Sequence, residues 1–322
     1  MTNDGHVLII STVADMATDD VIKRLCSRGI PHSRLNTEDY PFSKTITYRP
    51  GEKEHSMLCN GQPIPRPTAV WYRRFRSPSK MQGMDEGIYD FCLQENRAAF
   101  LGSIMGLDAR WMSHPSAVWQ SEYKPYQLRV AARVGLTIPR TLVTNDPNAI
   151  RLAFTKLNGM IVKPVRSGHF IRNGREFSIF TSRVLEEHLG ELDSARLSPA
   201  IYQELVPKRF DIRVTIVGSQ LFPAAIDSQS DPLAAIDWRR TRNPDLPHYA
   251  ITLPTRVSAL LVDLMNSLRL TFGAVDMIQN TDGDFVFLEV NPSGQWLWID
   301  DKLGLGISDA IADWLREVKH DA

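Results

Sequence analysis

Residues 274–279 and 285–290 are two apolar strand runs joined by the polar turn Asn280-Thr281-Asp282-Gly283-Asp284, and each run carries one acidic residue among its hydrophobic ones. Such a pair folds as a hairpin, and the hairpin fixes where its few polar side chains can go. In an extended strand, residues two apart point the same way. In FLEVNPSG (287–294), Glu289 and Asn291 therefore share one face at the strand end, and Asp276 can face them across the hairpin. Two carboxylates and an amide oxygen form a hard-oxygen set suited to Mg²⁺ bridging phosphates. Glu289 or Asn291 alone is read better as a polar strand end entering a turn, where Asn-Pro and Ser-Gly are natural. With Asp276 added, metal binding is the better reading.

The rest of the chain reads as α/β. Strand-like runs at 7–10, 30–35, 45–49, 55–59 and 69–75 alternate with helical patterns at 15–28 and 85–105, as in an open sheet flanked by helices. Asn60-Gly61 is a hairpin signal. His114-Pro115 marks a boundary. Beyond it come a helix over 122–134 closed by Gly135, strands at 142–143 and 160–162, a second hairpin turn at Asn173-Gly174, a helix over 183–192, and strands at 200–205 and 212–217. Thr255 caps a helix with one apolar face. The last helix buries Ile307, Ile311, Trp314, Leu315 and Val318. The expected domains are 1–113, an N-terminal α/β unit; 114–206, a central sub-domain with a hairpin; and 207–322, a C-terminal sub-domain carrying the metal site.

With 322 residues the chain is long enough for two or three sub-domains. Lys+Arg and Asp+Glu are both 37, so bulk attraction to nucleic acid or an anionic membrane is not expected. No apolar run approaches the ~20 residues of a membrane helix. The opening MTNDGHVLII lacks a basic n-region, so no signal peptide is expected. Cys26, Cys59 and Cys92 form no CxxC pair, in keeping with a reduced, cytoplasmic protein. There is no Gly-Lys dipeptide, no GxGxxG and no HExxH, so a bound nucleotide must be held another way.

Two lysines and one strand exit supply that way. Lys124 opens a helix after the boundary. Lys163 ends the apolar strand of IVKP (161–164) and can point inward at a fixed anion; taken singly, such a lysine more often reaches solvent. Gln203, Glu204, Leu205 and Val206 run from a strand into a connector whose backbone groups can read an adenine edge. Asp211 can accept from ribose hydroxyls; a local ion pair with Arg213 is the competing explanation.

Lys124, then IVKP, QELV with DIR, AVDMI and FLEVNPSG, in this order, resemble the ATP-grasp superfamily over about two-thirds of the chain. AVWYRRF (69–75), the segment 114–147, AIDSQ (225–229), IDWR (236–239) and EVNPSGQWLWID (289–300) narrow the likeness to the microviridin-type, or graspetide, peptide ligases. The resemblance implies an ATP-grasp fold behind an N-terminal α/β domain, with ATP and Mg²⁺ as cofactors. It implies a ribosomal precursor peptide, leader plus core, as partner, with side-chain carboxylates joined to hydroxyls or amines. Carried over residue by residue, Lys124 and Lys163 hold phosphates, Glu204 to Val206 form the adenine hinge, Asp211 contacts ribose, and Asp276, Glu289 and Asn291 ligate the metal. Arg213 fits a position near the γ-phosphate and acceptor carboxylate, and Arg239 is a second family arginine.

Two departures stand out. Some D-alanine ligase relatives carry an arginine two residues before the first metal aspartate, where this chain has Ala274, so the transition-state arginine falls to Arg213 or Arg239. The segment 167–175 has only Gly168 and Gly174, few for a phosphate-covering loop, which leaves it free for peptide contacts. Arg172, Arg175 and Phe177 on that hairpin, with the helix 183–192, form the expected leader dock; the competing reading packs the hairpin aromatics beneath it. Esters are favoured over amides by the resemblance alone, and no residue reads as the base for the nucleophile. A carboxylate–amine ligase acting on a small molecule or protein tail, and a silent ATP-binding module that docks a peptide, are the other readings. A homodimer is left open.

Overall fold

The computed structural model describes residues 5–52, 57–166, 168–172, 175–241 and 243–317. The turn Asn173-Gly174, the start of the run at 55–59, and Val318 lie outside them.

The N-terminal unit is built on a four-stranded parallel sheet in the order His32–Asn36, His6–Ser11, Pro67–Tyr72, Arg110–Met112. The central strand is apolar at every position from Val7 to Ile10 because both its faces are covered. Leu8 and Ile10 pack with the helix Glu86–Met105 on one side, and Val7 and Ile9 pack with the helices Met16–Ser27 and Ile307–Arg316 on the other. Asp85 starts the long helix by accepting from Gly87 N at 2.9 Å and Ile88 N at 3.1 Å. The Asn60-Gly61 turn has both φ values positive, as a tight hairpin between Met57–Cys59 and Gln62–Pro63 requires.

Two antiparallel sheets follow. The smaller has four strands, Ser182–Val184, Met160–Pro164, Ala200–Glu204 and Thr141–Thr144, and closes its own core of Ile150, Met160, Val184, Leu192 and Tyr202. The larger has five, His248–Ala250, Gln220–Ile226, Lys208–Val217, Phe272–Asn280 and Phe285–Asn291. Its inner residues Val214, Val275, Phe287 and Val290 share a core with Leu8, Val70 and the helices Lys124–Val134 and Thr255–Leu268. The helix Lys124–Val134 thus packs with the larger body and the N-terminal unit.

Several elements differ from expectation. The predicted helix 183–192 is absent: Ser182–Val184 is an edge strand, and Glu186–Leu197 is a 3₁₀ segment broken at Glu191. Gly190, Asp193 and Ser194 are weak helix formers, and Leu185 N bonds to His188 Nδ1 instead of leading into a helix. The expected helix 122–134 is found at Lys124–Val134, and a separate short helix that was not anticipated, Pro115–Ser121, precedes it with a break at Glu122-Tyr123. Thr255 lies inside its helix, after Pro254 as N-cap. The helix Pro147–Lys156, capped by Asp146 accepting from Asn148 N at 3.0 Å, and the strand Gln220–Ile226 were not anticipated.

Candidate active site

The two antiparallel sheets face each other across a cavity of about 550 Å³. One wall is formed by Ile161, Lys163 and residues 203–206, the other by Asp211, Ile212, residues 276–278, Leu288 and Glu289.

The acidic floor depends on an irregularity in the hairpin. Asp276 pairs directly with Glu289, but the next residue, Met277, pairs with Phe287, so Leu288 is an extra residue on the outer strand. A β-bulge of this kind re-aims the side chains beside it. Under strict alternation Phe287 and Glu289 would share a face. With the bulge, Phe287 enters the core, while the adjacent Leu288 and Glu289 both line the cavity and Val290 returns to the core.

Cations converge on these carboxylates. Lys124 Nζ lies 2.9 Å from Glu289 Oε2, and Arg239 Nη1 lies 3.9 Å from Glu289 Oε1. Lys163 is buried in the opposite wall. Burial alone would raise the Glu289 carboxyl, but Lys124, Lys163 and Arg239 hold it down at about 2. Burial brings the Lys163 ammonium down to about 8; Glu289 and Asp276 oppose that fall, while Lys124 and Arg239 add to it. Arg239 is itself fixed by a two-pronged contact to Asp237, 2.8 Å from Nε to Oδ1 and 2.9 Å from Nη2 to Oδ2.

Arg213 lies beneath the floor, buried, with Nη1 donating to Asp276 Oδ1 at 2.7 Å and Nη2 to the Gln295 carbonyl at 3.1 Å. Asp211 pairs with Lys208 at 2.6 Å rather than with Arg213, and burial raises its carboxyl against that lysine. The bare position at Ala274 has a steric cause. A Cβ on Gly294 would come 2.3 Å from the Ala274 Cβ and 3.3 Å from Arg213 Nη2, so this corner has no room for a longer side chain at 274.

Residues 203–206 run along the cavity wall. The Glu204 side chain turns away from it into a two-pronged contact with Arg140, both distances 3.0 Å. The N–H groups of Glu204 and Leu205 are already bonded to Arg140 O and Gly159 O. Gln203 donates through Nε2 to Thr141 Oγ1 at 2.8 Å, and its Oε1 is a buried acceptor without a partner among the described residues.

Not every expected residue reaches the cavity. Asn291 is exposed at its edge, and its Oδ1 accepts from Ser293 N at 3.0 Å. Arg172, Arg175 and Phe177 sit on the two-stranded hairpin His169–Arg172/Arg175–Ser178, every residue of which is exposed. Phe177 stacks on Phe170 with centroids 5.3 Å apart, and both rings are 43% exposed, so these aromatics are not packed beneath the hairpin. Phe180, further along, lines the cavity. Sequence reasoning missed Lys208 and Asp237, the partners that fix Asp211 and Arg239: Lys208 lies between QELV and DIR, and Asp237, although inside IDWR, was passed over for Arg239.

Among the described residues no group of three or more His, Cys, Asp and Glu side chains could hold a metal by itself. Mg²⁺ does not need such a cage: it takes one or two carboxylates and completes its shell with phosphate oxygens and water. Asp276 and Glu289 fit that requirement. Lys124, Lys163, Arg183, Lys208 and Arg239 line the cavity with Glu204, Asp211, Asp237, Asp276 and Glu289, and three of the cations, Lys124, Lys163 and Arg239, gather around Glu289.

Two antiparallel sheets clasping a cavity in which lysines and an arginine gather around paired carboxylates of one hairpin define an ATP-grasp ligase. Residues 6–118 match the family profile described as the MvdD pre-ATP grasp domain. The macrocyclase MdnC of Microcystis aeruginosa MRC, solved with the precursor peptide MdnA, superposes with a TM-score of 0.86 at 31% identity, covering 96% of this chain and 99% of that one. A RiPP-associated ATP-grasp ligase of Chryseobacterium gregarium, in complex with ADP and a leader and core peptide, gives a TM-score of 0.87 at 27% identity, covering 97% of this chain and 96% of that one. Beta-citrylglutamate synthase B of Danio rerio is 23% identical over 219 residues; the match takes in 65% of this chain and 51% of the synthase, so the chain spans about half the length of that curated relative. The chain belongs to the family of ATP-grasp ligases that includes the macrocyclase MdnC.

Proposed function

We propose that this protein is an ADP-forming ligase that activates side-chain carboxylates of a ribosomal precursor peptide as acyl phosphates and joins them to side-chain hydroxyls or amines. The observation that carries this reading is the convergence of Lys124, Arg239 and the buried Lys163 on Glu289, opposite Asp276, inside one cavity. The peptide substrate is supported by the likeness, along nearly the whole chain, to a ligase holding ADP with leader and core peptides and to a macrocyclase holding its precursor. It is also supported by the exposed aromatic hairpin beside the cavity, a surface with no use in a small-molecule site.

Residues 203–206 would hold the adenine and Asp211 the ribose. Lys124 and Lys163 would hold the phosphates. Asp276 and Glu289, with Asn291 at the edge, would hold Mg²⁺, which when bound would neutralise phosphate charge. A carboxylate oxygen of the peptide attacks the γ-phosphorus while the bond to the β-phosphate oxygen breaks and ADP departs. Arg213 and Arg239 stand where charge develops on the transferring group and the acceptor carboxylate. The acyl phosphate carbon is then attacked by a hydroxyl or amine, and phosphate leaves with the bond electrons. Proximity within one tethered peptide supplies much of the rate.

The protein acts in the cytoplasm in this reading; Cys26, Cys59 and Cys92 are all free, and no helix among the described residues is long and apolar enough to cross a membrane. The test is co-expression with a candidate precursor followed by mass spectrometry and phosphate release. Each ring appears as loss of one water with one ADP formed. AMP and pyrophosphate as products would overturn the mechanism, and MgATP turnover with an amino acid but no peptide would favour a small-molecule ligase.

A further inference from the structure

The strand Phe285–Asn291 is at the edge of its sheet, so its outer backbone groups have no strand to pair with. Such groups, when buried, need another partner. Two are provided from outside the sheet. Phe287 N donates to the Thr137 carbonyl at 2.8 Å. Val290 is held at both of its backbone groups by one side chain: Val290 N donates to Gln127 Oε1 at 2.9 Å, and Gln127 Nε2 donates to the Val290 carbonyl at 2.8 Å. Gln127 Nε2 also donates to the Ser121 carbonyl. Gln127 is 2% exposed, and its amide copies the pairing of a missing neighbour strand for a single residue.

That residue stands between Glu289 and Asn291, and the two clamps bracket the bulge at Leu288. A bulge leaves one residue without a ladder partner, and a one-residue shift of the pairing beside it turns side chains to the other face. Plain alternation would return Glu289 to the face that Phe287 occupies. We propose that Gln127 is a positioning residue for the metal site, holding the bulged register through the Val290 backbone so that Glu289 stays on the cavity side, where it would hold Mg²⁺.

This inference rests on the ligase reading above, in which Glu289 and Asn291 hold Mg²⁺. Partners that orient metal ligands without touching the metal typically contribute about 10- to 100-fold to metal affinity. The experiment compares ADP affinity with and without Mg²⁺ in wild type, Gln127→Met and Gln127→Glu, with thermal unfolding recorded alongside. Methionine keeps the volume and loses every hydrogen bond, while glutamate can accept from Val290 N but cannot donate to its carbonyl when ionised. The Mg²⁺-dependent gain in ADP affinity should fall about 10-fold or more in Gln127→Met, while Mg²⁺-free ADP affinity stays within about twofold. Bound Mn²⁺ should show an altered spin-resonance spectrum in both folded variants. A folded Gln127→Met or Gln127→Glu protein with the full wild-type Mg²⁺ gain and an unchanged Mn²⁺ spectrum overturns the proposal. If wild type itself shows no Mg²⁺ gain, the ligase reading fails instead. If Gln127→Met does not fold, the Gln127→Glu comparison decides by the same criteria.

Discussion

Asp276 and Glu289 are direct neighbours across an antiparallel pair, and the residue before Glu289 has no partner at all. Leu288 is therefore the one extra residue between a core position at Phe287 and a cavity position at Glu289. Deleting it leaves both flanking pairs, Asp276 with Glu289 and Met277 with Phe287, and plain alternation then keeps Phe287 inward and Glu289 on the cavity face. The deletion variant is expected to fold with a near wild-type urea midpoint and to keep its Mg²⁺-dependent nucleotide binding. A loss of about 3–5 kcal/mol, the cost of burying Glu289 unpaired, would refute this account of the bulge.

Glu289→Gln should abolish ligation without unfolding the chain. The amide keeps the shape but lowers the charge that opposes Lys124, Lys163 and Arg239. Metal titration followed by product analysis is the check: full turnover with ordinary Mg²⁺ dependence would remove Glu289 from the metal site.

Lys163 links nucleotide binding to pH. Its ammonium is down at about 8 in the free protein, so part of the population is neutral at and above that pH. A bound polyphosphate favours the charged form and raises it again. Binding should therefore take up protons near pH 8–9 and almost none below about pH 7, where the ammonium is already formed. Calorimetry in buffers of different ionisation enthalpy measures this directly. Proton release near pH 8, or an uptake that persists in Lys163→Arg, would contradict it.

Arg213→Ala should lower turnover about 10²- to 10³-fold, as removal of a transition-state donor does, and change ATP affinity much less. Because Arg213 also pairs with Asp276, Arg213→Lys serves as the variant that retains the charge. Weakened ATP binding at unchanged kcat would move Arg213 to a ground-state contact.

Binding of a core-deleted leader peptide should weaken in Arg172→Glu/Arg175→Glu and in Phe177→Ala, the latter by about 1–3 kcal/mol from lost aromatic burial. Anisotropy with a labelled leader gives both values. Unchanged affinity in all variants would leave the hairpin without this role.

Much of the site was legible because its parts lie in short apolar strands interrupted by one charged residue each. Asp276, Glu289 and Lys163 stand out against Val275, Val290 and Ile161, and a charge within a buried strand has few structural uses. The bulge was not legible: register is a property of two strands, and FLEVNPSG reads as plain alternation. Nor was the role of Gln127, one polar residue on an otherwise ordinary helix, whose partner is a backbone 163 positions away. The segment 183–192 misled because Val184, Leu185, His188, Leu189 and Leu192 carry a helical spacing that the weak formers among and beyond them do not sustain.

The separate core of the four-stranded sheet means that the two walls of the cavity share no interior. The N-terminal unit and the five-stranded sheet are joined through a common core, while the smaller sheet closes its own. The chain enters it after Thr137 and leaves it at Leu205, and Arg140 and Glu204 tie those two crossings together. A wider gap would therefore be taken up at two short crossings, with both cores left whole.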